Sequence, residues 1–287
     1  MPVEQYWAPA SLPAALEHLR GGDVTILAGG TDLMPQSHAG RVTFKRGLLN
    51  VRRVPELHGI APAGGGIRIG ALCTISELLH DPLVHAHFGI LAEACDHFAS
   101  DQLRNAATIG GNVCNASPAG DTLVPLLALD GEAELASKAD GSVERRRVPL
   151  ADFFVGPGKT MRAPDELLCA IWLPVPPAGF TARFFKFGTR PALDIAAISI
   201  SIAGVRSRST LTHARVAFGA VAPVPMRALR TEAALEGTPL DEAGIVRIAG
   251  VARDEVRPID DVRASAWYRR ELVFNMTRRM LDDVAQA

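Results

Sequence analysis

The sequence predicts an α+β protein with more than one folded unit, for three reasons. Its 287 residues exceed a typical domain, which has roughly 100–200 residues. Near the N-terminus, a helical segment and the apolar run 24–28 lead into a Gly-Gly turn, which is typical of an α/β unit. Further along, a proline-rich stretch at 174–177 separates two regions that both mix strands with helices. We therefore expect one domain over 1–177 and a second over 178–287.

The first domain is predicted to contain two lobes. Residues 1–60 are expected to form an α/β lobe, because the strand at 24–28 has a glycine turn at its carboxyl end. Residues 61–177 are expected to form an α+β lobe, in which helical segments lie between apolar runs of strand length. The predicted strands of this second lobe are 67–70, 133–136 and 167–173.

The second domain is predicted to contain a three-stranded antiparallel sheet with helices. Its strands are 184–187, 198–202 and 215–219, of which 198–202 alternates strictly between Ile and Ser. The rest of the domain has helical spacing. Four side chains near the end are spaced at i, i+4 and are predicted to face a core: Tyr268, Leu272, Met276 and Met280.

The composition argues against several classes of function. Thirty Lys and Arg residues against 31 Asp and Glu residues leave a net charge of −1, which favours neither nucleic acid nor an anionic membrane as a partner. No apolar run approaches the roughly 20 residues that a membrane span requires. The first residues also lack the basic and apolar regions of a secretory signal. We therefore expect a cytoplasmic protein.

Neither the cysteines nor the histidines predict a metal site. No two cysteines form a C-x-x-C pair, and their spacing fits neither a zinc site nor an iron–sulfur cluster. We expect free, buried or half-buried thiols at Cys73, Cys95, Cys114 and Cys169. Four histidines without ligand spacing are expected on solvated helix faces: His80, His85, His87 and His97.

Two glycine pairs carry the strongest functional signal. The first glycine loop covers residues 28–32 (AGGTD), and the second glycine loop covers residues 108–112 (TIGGN). Paired glycines let backbone amides converge on a bulky anion such as a pyrophosphate. Side chains at Thr31, Asn112 and Ser117 are expected to add hydrogen bonds. Neither loop matches the G-x-G-x-x-G or P-loop pattern, and either one alone is a common connecting turn.

Together, the two glycine loops and the segment SPAGD at 117–121 resemble the FAD domain of the molybdenum hydroxylases. That family includes the medium subunit of carbon monoxide dehydrogenase and the FAD domain of xanthine dehydrogenase. The resemblance continues through 163–168 (APDELL) and 185–190 (FKFGTR) and covers nearly the whole chain. It implies a two-lobed FAD-binding domain of the vanillyl-alcohol oxidase type, with the cofactor between the lobes, followed by a C-terminal α+β domain.

The resemblance also implies which residues bind FAD. The two glycine loops would hold the pyrophosphate, Asp121 would lie near the ribityl or adenosine part, and Leu168 would pack against the flavin ring. The implied FAD-binding residues are Ala28, Gly29, Gly30, Thr31, Asp32, Leu33, Thr108, Ile109, Gly110, Gly111, Asn112, Cys114, Ser117, Asp121, Leu168 and Lys186.

Lys186 is the residue for which we predict a role in the reaction. A cation near the N1–C2 carbonyl region of the flavin stabilises the negative charge that develops on reduction. The alternative is a surface lysine on an edge strand. Nearby, Arg190 and Asp194 are expected to form an ion pair beside the ring, and the aliphatic Ile195 is expected to leave one flavin face more open.

The resemblance further implies a heteromeric enzyme. A small subunit with two [2Fe-2S] clusters and a large subunit with the molybdenum cofactor would join this chain in a dimer of heterotrimers. FAD is expected to be non-covalent, because Thr31 stands where some flavoproteins carry a flavin-linked histidine, and Cys114 is expected to be a packing residue. Two alternatives stay open: a free-standing FAD-dependent reductase or oxidase, and a flavin-free nucleotide-binding or scaffold module.

Overall fold

The N-terminal lobe contains a small parallel sheet and short helices. The structure, a computed structural model, describes residues 3–190 and 194–286. In this lobe the elements are β1 (Gln5–Trp7), α1 (Leu12–Leu19), β2 (Val24–Leu27), α2 (Leu33–His38) and β3 (Gly47–Asn50). The strand order is β1-β3-β2, so β3 pairs in parallel with both neighbours. The first glycine loop therefore leaves the sheet at the carboxyl end of β2 and leads into α2.

The second lobe is built on an antiparallel sheet. A short 3₁₀ helix (Pro55–Leu57) leads into it. Its strands are β4 (Ile60–Ala63), β5 (Gly66–Gly70), β6 (Glu132–Ala139), β7 (Ser142–Pro149) and β10 (Leu167–Pro174), with a separate hairpin of β8 (Phe154–Gly156) and β9 (Lys159–Thr160). The sheet order is β4-β5-β10-β6-β7. Strands predicted at 67–70, 133–136 and 167–173 are thus β5, β6 and β10.

A run of short helices connects β5 to β6 in the second lobe. They are α3 (Ile75–His80), α4 (Pro82–His87), α5 (Gly89–Asp96), α6 (Asp101–Arg104), α7 (Ile109–Asn115) and α8 (Leu123–Ala128), and α9 (Leu150–Phe153) follows β7. The second glycine loop overlaps the start of α7. The second glycine loop and Leu168, which lies on β10, therefore both belong to the second lobe.

The C-terminal domain contains the three predicted strands and a short fourth one. In the described residues, the sheet order is β11-β12-β13-β14 and every pairing is antiparallel. The elements are β11 (Phe180–Phe187), β12 (Ile198–Ser207), β13 (Thr210–Gly219), β14 (Met226–Arg227), α10 (Leu229–Leu235), α11 (Glu242–Glu255) and α12 (Ala266–Gln286). Because β11 is an edge strand, Lys186 has the edge position that the alternative of a surface lysine assumed.

Apolar packing crosses the boundaries between these parts. In the first lobe, buried α1 and β3 side chains share a cluster with Leu167 and Cys169 of β10. The main cluster of the second lobe includes Phe184 of β11 and Ala203 of β12. These shared cores fix the first lobe and the C-terminal sheet against the second lobe, because buried apolar contacts stabilise the arrangement that makes them.

One prediction for α12 is wrong. The predicted core residues that are buried or half-buried are Leu272, Met276 and Met280. Tyr268, however, is 40% exposed, and the buried face begins with Arg269, which is 3% exposed. The Arg269 guanidinium donates to the Ala220 carbonyl at 3.0 Å and to Asp261 at 2.7 Å. A charged side chain can occupy this face because two of its nitrogen atoms donate hydrogen bonds to these acceptors.

Candidate functional site

A cleft of about 930 Å³ is lined by both N-terminal lobes and by Asp194 and Ile195. Pockets for small molecules and cofactors occupy roughly 300–1,000 Å³, so this cleft has room for a ligand as large as a dinucleotide. The predicted binding residues that line it are Ala28, Gly29, Gly30, Thr31, Asp32, Leu33, Thr108, Gly110, Gly111, Asn112, Cys114, Ser117, Asp121 and Leu168.

Two predicted binding residues lie behind the cleft wall. Ile109 is fully buried and belongs to the apolar core of the second lobe. Lys186 does not line the cleft and approaches it through a contact with Asp121, which does. Ile195 lines the cleft and is 51% exposed, whereas Asp194 accepts hydrogen bonds from the backbone amides of Thr189 and Arg190.

The first glycine loop has unengaged amides and a glycine-specific backbone. A Cβ atom on Gly29 would lie 1.9 Å from the Ala106 carbonyl oxygen, so the loop touches the segment that precedes the second loop. Gly30 has φ +75°, a conformation that favours glycine. The backbone amides of residues 29–32 donate to no residue that the structure describes. These amides are therefore available to an anion in the cleft.

The second glycine loop is the start of a capped helix. Thr108 is the N-cap of α7, and its hydroxyl accepts the Gly111 amide at 3.0 Å. The other amides donate to backbone carbonyls: Ile109 to Cys73, Gly110 to Ala71 and Asn112 to Thr108. We predicted that the backbone amides of both loops turn toward a pyrophosphate. In the second loop the amides of residues 109–112 already donate to protein oxygens, so its contact with a ligand has to come from side chains.

Side chains of the second loop still face the cleft. The Asn112 carbonyl oxygen accepts from the Thr122 hydroxyl at 2.7 Å, which fixes the amide and leaves its nitrogen for a ligand. Cys114, on α7, is half-buried and packs against the core of the second lobe. Burial raises the pKa of the Cys114 thiol, and the positive charge of Arg162 opposes part of that shift. A protonated thiol is a packing group rather than a nucleophile.

A buried ion pair joins the cleft wall to the C-terminal domain. Lys186 Nζ donates to Asp121 Oδ2 at 2.9 Å and to the His97 carbonyl at 2.9 Å. The two charged side chains are 7% and 13% exposed, so the alternative of a surface lysine is wrong. Burial raises the pKa of Asp121 from 3.8 to about 6, against the opposing charge of Lys186 and His97. Asp121 Oδ1 is buried and has no hydrogen-bond partner among the described residues.

The cleft also contains residues that the sequence did not single out. Arg162, Lys45, Phe98 and Asn115 all line it. Asn115 lies three residues after the second glycine loop, and this proximity in sequence was the available signal. Arg162 and Lys45 lie in irregular segments outside both glycine loops, so no local pattern marks them.

The remaining titratable groups form no metal centre within residues 3–190 and 194–286. No group of three or more His, Cys, Asp or Glu side chains there has the arrangement to hold a metal ion. As expected, Cys73, Cys95 and Cys169 are buried free thiols. His80, His85 and His97 are exposed, and His87 is half-buried. No described helix is long and apolar enough to cross a membrane.

Both domains match known protein families, and the first of these families binds FAD. Residues 2–176 match the FAD binding domain in molybdopterin dehydrogenase, and residues 183–284 match the CO dehydrogenase flavoprotein C-terminal domain. The fold and the cleft thus define a flavoprotein of the FAD-binding type. This chain belongs to the family of FAD-binding medium subunits of the molybdenum hydroxylases, and it is an oxidoreductase subunit.

Relatives of known type are similar along almost their entire length. A putative xanthine dehydrogenase FAD-binding subunit from Escherichia coli K12 is 32% identical over 98% of this chain and 96% of the relative. The glyceraldehyde dehydrogenase medium chain of Sulfolobus acidocaldarius is 34% identical over 99% of both. A solved structure of carbon monoxide dehydrogenase from Hydrogenophaga pseudoflava superposes with a TM-score of 0.91 at 31% identity, covering 97% of this chain and 96% of that one.

Proposed function

We propose that this chain carries electrons within a heteromeric molybdenum hydroxylase. It would accept them on FAD from the iron–sulfur clusters of a small subunit and pass them to an external acceptor. The observation that carries this proposal is the cleft of about 930 Å³ that both glycine loops line, in a chain whose relatives are FAD-binding or medium subunits over their whole length.

The residues of the cleft fit FAD on two structural observations. The amides of residues 29–32 have no acceptor among the described residues, which suits a pyrophosphate group. Asp121 Oδ1 is buried and accepts no hydrogen bond from residues 3–190 or 194–286, whereas buried polar atoms are normally satisfied. A ligand hydroxyl, such as those of the ribityl chain, would supply the missing donor.

Each part of the cleft has a separate task in this proposal. FAD supplies, when bound, the capacity to take up and release two electrons. The first glycine loop binds the pyrophosphate, Asn112 donates from its amide nitrogen, and Leu168 provides an apolar wall. Lys186 balances the charge of Asp121 at 2.9 Å, so any tuning by this lysine acts through that carboxylate. The non-covalent attachment of FAD is part of the same proposal.

The proposed partners follow from what the relatives are. Several of them are named as the medium chain or the FAD-binding subunit of a larger enzyme. We assign the molybdenum cofactor to a large partner and two [2Fe-2S] clusters to a small partner, in a dimer of heterotrimers. The cytoplasmic location stays a prediction from the sequence.

Purification of the tagged full-length chain from its native source tests the proposal. We expect two further subunits, with FAD, iron and molybdenum in the same fraction. The matched control is the same chain expressed alone, which should carry FAD without either metal. Recovery from the native source as a free flavoprotein that turns over its own substrate would instead support the free-standing reductase. Recovery without any flavin would support the scaffold module.

A further inference from the structure

Positive charge is scarce along the wall of the cleft. Among the described residues that line it, Lys45 and Arg162 are cationic, whereas Asp32, Asp121 and Asp194 are acidic. Lys45 Nζ donates to the Gly22 carbonyl at 2.7 Å and is exposed. FAD carries a doubly negative pyrophosphate, and the second glycine loop has no amide between residues 109 and 112 left to meet it. The negative charge of the pyrophosphate therefore has to be balanced by one of these two cationic side chains or by the first glycine loop.

Arg162 is held in place by the loop that it begins. Its Nη1 donates to the carbonyls of Ala163 at 2.9 Å and Glu166 at 2.5 Å. The Glu166 carboxylate in turn accepts the Ala163 amide at 2.8 Å and two bonds from Arg146 at 2.5 and 2.8 Å. These hydrogen bonds hold the loop 162–166 in one conformation. The ion pair of Glu166 is with Arg146, while Arg162 bonds only to carbonyl oxygens of the loop.

Arg162 lines the cleft and has guanidinium atoms that are not used by its own loop. Its Nε and Nη2 atoms donate to no residue that the structure describes, and no carboxylate there lies within ion-pair distance of it. The strand β9, which ends two residues earlier, contacts α7, the helix that begins within the second glycine loop. Arg162 shares this stretch of the cleft wall with Cys114 and Leu168.

We propose that Arg162 supplies the positive charge that binds the negatively charged part of FAD. Its guanidinium stays protonated at all ordinary pH values and offers planar donors that suit phosphate oxygens. By contrast, the charge of Lys186 is shared with Asp121 at 2.9 Å. The inference rests on FAD binding in this cleft but not on the partner subunits. The group that Arg162 would contact is an anion in either case: the pyrophosphate, or the flavin ring after reduction.

The experiment compares full-length variants by FAD binding and by reduction potential. Arg162→Met should weaken the binding of FAD, in at least one oxidation state, by about tenfold, the effect of one lost charge-assisted contact. Arg162→Lys keeps the charge and should restore most of this loss. The matched control is Lys159→Met, which removes the same charge from an exposed side chain three residues earlier that does not line the cleft. It should leave both quantities unchanged.

The two readouts distinguish the two anions. Equal weakening of oxidised and reduced FAD assigns the contact to the pyrophosphate. Weakening of reduced FAD alone lowers the potential, by about 30 mV for a tenfold change in a two-electron couple, and assigns it to the ring. Should Arg162→Met not fold, Arg162→Gln removes the charge while keeping a donor for the loop carbonyls.

Two results would overturn the assignment. Unchanged affinity and potential in Arg162→Met would show that the charge does not reach the cofactor. An equal loss in Arg162→Met and Arg162→Lys would show that the side chain acts by holding the loop. The wild-type chain is titrated first, and failure of that titration would reject FAD binding itself rather than the role of one arginine.

Discussion

The two glycine loops look alike in sequence but differ in what their backbones do. Each has a Gly-Gly pair next to polar residues, and each lines the same cleft. In the first loop, the amides of residues 29–32 have no acceptor within the part of the chain that the structure describes. In the second loop, the amides of residues 109–112 donate to protein oxygens. The Gly-Gly pair of the first loop therefore lets a ligand approach the backbone, whereas that of the second loop lies in the first turn of a helix.

Within each pair, the two glycines also have different tasks. A Cβ atom on Gly29 or Gly110 would meet backbone, at 1.9 Å from Ala106 O and at 2.7 Å from Ala71 O. A Cβ atom on Gly111 would meet the Thr108 hydroxyl, at 2.9 Å, and no other atom within range. All four glycines line the cleft, but the first glycine of each pair also allows two segments of backbone to pack closely.

The largest expected effect is from Gly29→Ala. The new methyl group cannot occupy its position without moving the backbone at Ala106, 1.9 Å away, so the two loops must separate. We expect a loss of about 3 kcal/mol in the free energy of unfolding, the upper part of the usual range for overpacking. Denaturant unfolding of the apoprotein measures it, with Gly21→Ala as the matched control, because Gly21 has no atom within 4 Å of its Cβ position. Equal stability of both variants would refute the packing role.

The second prediction concerns pH and uses Asp121, which follows the second glycine loop. Burial raises the pKa of Asp121 from 3.8 to about 6, so the folded chain binds this proton more tightly than the unfolded chain does. Its contribution to stability is therefore full below the unfolded pKa and is lost as the pH rises through the folded one.

Comparison with Asp121→Asn isolates that contribution. From about pH 4 to about pH 7, the wild-type apoprotein should lose stability relative to the variant, by an amount on the order of 2 kcal/mol. Denaturant midpoints at several pH values measure the difference. A difference that does not change with pH, or that changes in favour of the wild type as the pH rises, contradicts the buried position of this carboxyl group.

Gly30→Ala has a smaller expected effect and separates the two loops directly. Alanine at φ +75° costs about 1–2 kcal/mol of backbone strain and should also weaken FAD binding, because the free amides shift. The matched control is Thr108→Ala, which removes the helix cap of the second loop at about 1 kcal/mol. We expect the control to lose stability while its affinity for FAD changes much less. Equal losses of affinity would mean that the loops share one role.

The sequence predicted the elements that hold the site better than it predicted their hydrogen bonds. Alternation and apolar runs located β2, β10 and β12 because these patterns follow directly from burial. Two of the four acceptors of the second loop are the carbonyls of Ala71 and Cys73, on a different segment of the chain. A local sequence pattern contains no information on such distant partners, so the same role was predicted for both glycine loops.

Two further residues illustrate the same limit. In α12, spacing selected Tyr268, but the buried face begins with Arg269, whose Nη1 and Nη2 donate to the Ala220 carbonyl and to Asp261. In the cleft, Arg162 follows a two-residue strand, and its position depends on Glu166 and Arg146. Both cases depend on tertiary partners of a charged side chain, which residue periodicity does not report.

The smallest expected effect is from Cys114→Ser. Burial raises the pKa of this thiol, so it stays protonated near neutral pH and is a poor nucleophile toward the flavin. Acid precipitation should release all FAD from the wild type and from the variant alike. Flavin that stays in the wild-type pellet and disappears from the pellet of Cys114→Ser would demonstrate a covalent bond.

The most direct test of the cleft is a titration of the full-length apoprotein with FAD and with FMN, followed by flavin fluorescence. Two lobes that line one cleft of about 930 Å³ should bind one FAD per chain. FMN lacks the pyrophosphate and adenosine parts that the first glycine loop and its lobe would contact. It should bind at least about a hundredfold more weakly, a difference of about 2.8 kcal/mol. Equal affinity for FMN and FAD, or no binding of either flavin, would contradict the account.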